Sequence, residues 1–245
     1  DGLLGSVTDP LGNTASYTYD SHGQRTSMTD SLGNTWTYSY DPQGLGRLVD
    51  TTDPSGRVVH SEYDAAGRLT RQTQNYDAPK SQNQDQVWNI VTEYAYDARG
   101  NQISVTDTFG RVTQYEYDNA DRLVKTIDPA GNETVNAYNT AGQLISTTDA
   151  LLHVTQYGYD AAGRLVTTTD ALENVTTTTY NVDGTVASTT DALGRTTGYT
   201  YDSLKRVKSI TQPNGGTSHN TYDAAGNLIE TEDVLGNINS YEYDA

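Results

Sequence analysis

The sequence predicts an all-β fold: a long antiparallel meander of about twenty short strands, made of stacked β-hairpin repeats and curling into an open shell. Three observations predict it. Tyr19, Tyr40, Tyr63, Tyr96, Tyr117, Tyr138, Tyr159, Tyr180, Tyr201, Tyr222 and Tyr243 each precede Asp or Asn, and from Tyr96 onward they recur every 21 residues. Between consecutive Tyr-Asp pairs lies a second Asp, and both series read Asp-x-x-Gly, as in Asp9-Pro10-Leu11-Gly12 and Asp160-Ala161-Ala162-Gly163. The segments between turns are six or seven residues rich in Thr, Val, Ile, Tyr and Leu, and no sustained apolar pattern has helical spacing.

Each element follows from local chemistry. Asp at the first turn position, Pro at the second and Gly at the fourth favour a type I turn closed by a left-handed residue, the three-residue hairpin loop. Gly gives way to Asp121, Leu152, Glu173 and Lys205, and Asp to Asn139, Asn181 and Gln212, which reads as ordinary drift at turn positions. In such hairpins the turn Asp faces the residue four later, an Arg at Asp64/Arg68, Asp118/Arg122 and Asp160/Arg164. One step further in, Tyr63 faces Leu69, Tyr117 faces Leu123 and Tyr159 faces Leu165. Strand faces alternate, so Asp/Arg and Tyr/Leu are expected on opposite faces, with Tyr/Leu on the packed one. Gly67 and Gly163 supply the left-handed turn residue. These positions form the candidate structural motif of the repeat.

The two half-repeats are 10 and 11 residues long, which would swap faces once per repeat if both turns had one geometry. Keeping every Tyr on one face requires a β-bulge in each Tyr strand or a second turn size. Repeated bulges add twist, and long twisted sheets curl.

Composition sets the other bounds. Only 34% of the chain is hydrophobic, with one Phe, one Met and two Trp, so a single dense core is not expected and Tyr takes the apolar role. There are no cysteines, hence no disulfide or thiolate metal site. The net charge is −17, but most Asp residues open turns, so the charge is largely turn chemistry. Fifteen Lys and Arg against 32 acids argue against nucleic-acid binding. No apolar run reaches the roughly 20 residues of a spanning helix, so membrane insertion by this segment is not expected.

At this level of detail the residues resemble a known family. Tyr157-Gly158-Tyr159-Asp160-Ala161-Ala162-Gly163-Arg164-Leu165-Val166-Thr167-Thr168 is similar to the YD repeat of rearrangement-hotspot (RHS) proteins, and near-copies run through essentially the whole chain. The resemblance implies a spiral of β-hairpins forming a hollow cocoon or barrel, as in bacterial polymorphic toxins, insecticidal toxin complexes and teneurins. It also implies a structural module of a secreted or cell-surface bacterial protein, whose shell encapsulates or displays a C-terminal toxin. Implied partners are further repeats or a shell-closing core of a parent chain, and the enclosed cargo. A cell-surface adhesion or glycan-binding repeat module is the alternative, since tyrosine rows can stack on sugars.

Residues 1–245 are expected to form one array of about eleven repeats, incomplete at both ends, whose unpaired terminal strands favour end-to-end self-association. The metre breaks between Tyr63 and Tyr96, which are 33 residues apart. The excess, near 75–90, reads as a projecting loop in which Tyr76 and Trp88 are candidate contact residues. No catalytic constellation is present: His22, His60, His153 and His219 are scattered without metal-ligand spacing, and no nucleophile motif or phosphate loop occurs. Neither enzymatic activity nor a cofactor is expected.

Overall fold

Alternating Thr, Tyr and Val between Asp-x-x-Gly turns yields strands joined by tight turns throughout the described residues, 2–76 and 89–244 of the computed structural model. The chain divides into two compact units, Asp1–Gly131 and Asn132–Ala245. The first holds β1 (Ser6–Thr8), β2 (Thr14–Tyr19), β3 (Arg25–Thr29), β4 (Thr35–Tyr40), β5 (Leu48–Thr52), β6 (Val58–Tyr63), β7 (Leu69–Gln74), β8 (Ile90–Tyr96), β9 (Gln102–Thr106), β10 (Val112–Tyr117) and β11 (Leu123–Ile127). The second holds β12 (Glu133–Tyr138), β13 (Leu144–Thr148), β14 (Val154–Tyr159), β15 (Leu165–Thr169), β16 (Val175–Tyr180), β17 (Val186–Thr190), β18 (Thr196–Tyr201), β19 (Val207–Thr211), β20 (Thr217–Tyr222), β21 (Leu228–Glu232) and β22 (Ile238–Ser240). Within each unit every strand pairs antiparallel with its neighbours in chain order and touches no other strand. The fold is an all-β antiparallel meander.

Both turn series have one geometry, except that the Asp41 amide donates to the Arg47 carbonyl, two residues further on than elsewhere. At Asp64 the Gly67 amide donates to the Asp64 carbonyl at 3.0 Å, and the Asp64 amide donates to the Arg68 carbonyl at 2.9 Å. The same two bonds close Asp9 to Asn13. The fourth position is left-handed throughout, with φ of 85° at Gly67 and 82° at Gly163. Leu152, Glu173, Lys205 and Asp121 also adopt it, with φ between 59° and 66°, a conformation that strains side chains bearing a Cβ.

Equal turns leave the odd residue to a bulge, and its position differs from expectation. Gly158 pairs with Thr167 but Tyr159 pairs with Leu165, so Val166 is the extra residue. It lies on the strand after the turn, not on the Tyr strand. Thr70, Lys208 and Ile229 occupy the same place in their hairpins. The extra residue restores the alternation, so Tyr63, Tyr159 and Tyr222 keep cross-strand Leu partners and Tyr180 and Tyr201 keep Val, while Tyr19 faces Arg25 and Tyr96 faces Gln102.

No hydrophobic residue is buried among the described residues; the two buried side chains belong to Thr73 and Ser209. The Tyr/Leu face is therefore half-buried by its own neighbours rather than packed beneath a second layer. A meander without a core leans on its ladders and on side-chain links between hairpins.

Candidate functional site: the seam between repeats

The bulge determines where hairpins need help. Between β15 and β16 the ladder is only three pairs long, Thr167↔Thr177, Thr168↔Thr176 and Thr169↔Val175. It stops short of the bulge, and the Leu165 carbonyl lies beyond its end. Tyr180 fills the gap: its hydroxyl donates to the Leu165 carbonyl at 2.9 Å. The same bond runs from Tyr63 to Leu48 at 2.8 Å, Tyr96 to Leu69 at 2.8 Å, Tyr117 to Gln102 at 3.0 Å and Tyr159 to Leu144 at 2.8 Å. Most repeats thus hand a hydroxyl to the one before. Burial pushes the Tyr117 phenol above its usual range, with the neighbouring Tyr115 and Asp97 adding to the effect.

Arginine forms the second link. Arg68 Nε and Nη2 both lie 2.7 Å from Asp64 Oδ2, and Arg122 and Arg164 grip Asp118 and Asp160 in the same fork. The Asp Oδ1 meanwhile accepts backbone amides: those of Ala162 and Arg164 at Asp160, 2.9 and 3.0 Å away. These bonds hold the carboxylates low. At Asp64 and Asp160 the amide of the following Arg leads, and at Asp118 the Arg122 side chain does.

The guanidinium then reaches into the next repeat. Arg68 lies over the Tyr96 ring at 4.8 Å and Arg164 over Tyr180 at 4.5 Å, while their Nη1 groups donate to the carbonyls of Asp97 at 3.1 Å and Asn181 at 3.3 Å. The expected separation of Asp/Arg and Tyr/Leu onto opposite faces fails at this end. Where the strands part, Arg meets the aromatic ring of its neighbour.

Two replacements of Gly prove to be links rather than drift. Asp121 accepts from Asn101 Nδ2 at 2.7 Å and pairs with Arg99 Nε at 3.2 Å, and Lys205 Nζ donates to the Asp183 carbonyl at 2.7 Å. Each reaches back to the previous Tyr-Asp turn.

Tyr76 stacks on His60 with ring centroids 4.5 Å apart, and its amide donates to the Val58 carbonyl at 2.9 Å. Trp88 lies outside the described residues. A cluster that sequence reasoning passed over adjoins Tyr76: Ser39 Oγ donates to Asp50 Oδ2 at 2.8 Å, and Asp50 Oδ1 lies 2.6 Å from His60 Nδ1. Asp50 and His60 stand in register with Thr167 and Thr177 of a later repeat. Superposing the repeats would have shown the exchange of hydroxyls for a carboxylate and an imidazole. The Asp bridges Ser and His, so no base activates the hydroxyl, and the arrangement is not a nucleophilic triad. Among the described residues no group of three or more acids and histidines is placed to hold a metal, and no helix is long and apolar enough to cross a membrane.

Comparison with known proteins agrees with this geometry. The RHS Repeat family model matches residues 1–35, 19–45, 44–77, 92–133, 138–179 and 180–217. Among solved structures, the crystal structure of TcdB2-TccC3-TEV superposes with a TM-score of 0.60 at 18% identity over 96% of this chain. The Photorhabdus luminescens Tc holotoxin pore carrying a TccC3 D651A mutation gives 0.59 at 17% over 93%, and TcdB2-TccC3 without its hypervariable C-terminal region gives 0.60 at 18% over 96%. The chain spans 15% of the length of each. No curated protein sequence matches it. With the repeat model covering most of its length and a fold shared with those assemblies, the chain belongs to the RHS repeat family.

Proposed function

We propose that this chain is a wall segment of a secreted or surface-exposed bacterial RHS shell, which curls around and encloses a C-terminal toxin. The observation that carries the reading is the seam: a coreless meander whose repeats are joined one to the next by Tyr hydroxyls and Arg side chains. Such a sheet gains area without needing a filled interior, which suits a container. The repeat family and the likeness to Tc toxin structures support it. The role is structural, and its partners are further repeats, a closing core and the cargo. The spacing runs on through Asp128, which supports one array over residues 1–245.

The test is protease protection in the full polypeptide of which this sequence is a part. Cleavage resistance of the segment C-terminal to the repeats, lost when Tyr159 and Tyr180 are both changed to Phe, is the expected result. A C-terminal segment digested at once in the native protein would refute enclosure. The adhesion alternative gains little from the tyrosines, because their hydroxyls are engaged in the seam rather than free along a stacking platform.

A further inference from the structure

The two rims of the meander differ at one turn position. In the ten described turns that follow the shorter strands, the third residue is Leu or Phe seven times, with Ser55, Ala130 and Asn214 as the exceptions. In the ten described turns that follow Tyr it is Ala five times and a large apolar residue once, at Leu204. The turn itself does not ask for this difference. On both rims the position supplies only its amide to the first turn residue, as Leu172 does to Asp170 Oδ1 at 2.8 Å and Ala162 to Asp160 Oδ1 at 2.9 Å.

A lone exposed leucine is ordinary, but a row confined to one rim is not scatter. In the second unit Leu151, Leu172, Leu193 and Leu235 are between 75% and 83% exposed. Successive hairpins set them about 10 Å apart, with Asn214 as the gap before Leu235. Leu152 adds a second observation. It holds a left-handed φ of 66°, which strains a residue with a Cβ, yet its side chain is 81% exposed and gains no burial in return. Gly194 fills the same place in another turn with no such strain. The choice of leucine therefore answers to something beyond the rim.

An apolar edge with this spacing fits a partner with shallow notches at the same spacing. The Tyr-Asp rim of an RHS array is such a partner: Ala141, Ala162 and Ala225 are exposed there, and both rims advance by one hairpin per 21 residues, so knob and notch stay in step. Asp183 and Leu204 interrupt the notches as Asn214 interrupts the knobs. Charge agrees. Of the five Lys and Arg of residues 132–245, Arg164, Lys205, Arg206 and Lys208 lie in or just after Tyr-Asp turns, whereas the leucine rim sets Arg195 against Asp149, Asp170, Glu173, Asp191 and Asp233. A lipid surface offers no matching period, and its anionic headgroups are repelled by those acids.

We infer that the leucine rim of the second unit is a docking edge whose occupant is the Tyr-Asp rim of a distant stretch of repeats in the same polypeptide, with leucines seated over the alanines of the facing turns. The inference rests on the container reading, in which further repeats surround a chain that spans 15% of the length of the structures sharing its fold. It gives the wall a lateral contact with a fixed direction, leucine rim to alanine rim.

The test uses the full polypeptide of which this sequence is a part, carrying p-benzoylphenylalanine at Leu172 or at Leu193, irradiated, digested and read by mass spectrometry. Cross-links within one chain to a Tyr-Asp turn of repeats that do not adjoin the labelled one are expected. Changing the alanine of that turn to Trp leaves its backbone bonds intact and is expected to cut the yield by about tenfold. If the Trp variant does not fold, Leu172→Asp with the label at Leu193 carries the same expected loss. The inference is overturned if both labels link only to adjoining hairpins, to a second copy, to the C-terminal segment or to nothing, or if a folded variant cross-links as the parent does. Protease protection separates this result from the container reading: a protected C-terminal segment without the cross-link removes the rim contact alone, and an unprotected one removes the container.

Discussion

The turns that follow Tyr and those that follow the shorter strands share one backbone geometry apart from the longer loop at Asp41, yet the side-chain bonds seen from turn to turn run between the former. At the Tyr-Asp turns, Arg68, Arg164 and Arg206 reach the carbonyl of the next turn, and Gln143 reaches that of Gly163. At the other turns the side chains bond inside their own loop: Asn13 to Asp9, Asn34 to Asp30, Arg195 to Asp191. Their third residue is often an exposed leucine, as at Leu32, Leu172 and Leu193. The cause is the bulge, which follows the Tyr-Asp turn alone and ends the ladder early on that side. Where the backbone stops pairing, side chains take over; where it pairs up to the loop, they are free to vary.

Acid should abolish both kinds of turn together. Asp9, Asp64, Asp118, Asp160, Asp191 and Asp233 all titrate below the ordinary aspartate value of 3.8 because of the bonds they accept. A carboxylate depressed in the folded state gives stability that is fully present above its unfolded pKa and is lost as pH falls through its folded one. Circular dichroism melts are therefore expected to be flat from pH 7 to about 5 and to fall steeply below about 4. A transition centred near pH 6 would assign acid stability to histidine instead.

Next in size is the seam. Tyr159→Phe leaves the Leu144 carbonyl without its donor and is expected to cost about 1–3 kcal/mol, seen as a lower urea midpoint. An unchanged midpoint would mean that water replaces the hydroxyl without loss and that the two turn types differ less than their bonds suggest.

Left-handed residues sharpen the contrast further. Leu152→Gly relieves strain with no link lost and is expected to stabilise by about 1 kcal/mol, whereas Asp121→Gly forfeits the bonds to Arg99 and Asn101 and should gain less. Equal gains would show that those bonds contribute nothing. The smallest effect is expected at Leu193, which is 77% exposed: Leu193→Ser should change stability by less than about 0.5 kcal/mol.

Much of this fold was legible because turn chemistry is local. Asp64, Gly67 and Arg68 announce their loop, and counting outward from it places Tyr63 against Leu69. The same arithmetic requires an odd residue in every repeat. It does not say which strand holds it, because that depends on the size of both loops, which only the folded chain reveals. The Arg164 and Tyr180 contact was illegible for a different reason: it crosses a splayed junction where period-two alternation no longer governs direction. The Asp50 and His60 pair was hidden by reading histidines along the chain instead of across it.

A wall in which most units give one hydroxyl to the predecessor and receive one from the successor is held by one repeated kind of link. Duplicating or deleting 21 residues would leave the hydroxyl link between the units that become neighbours of the same kind. The length of such a chain is therefore a quantity that recombination can alter freely, and with it the capacity of whatever the chain is wound into.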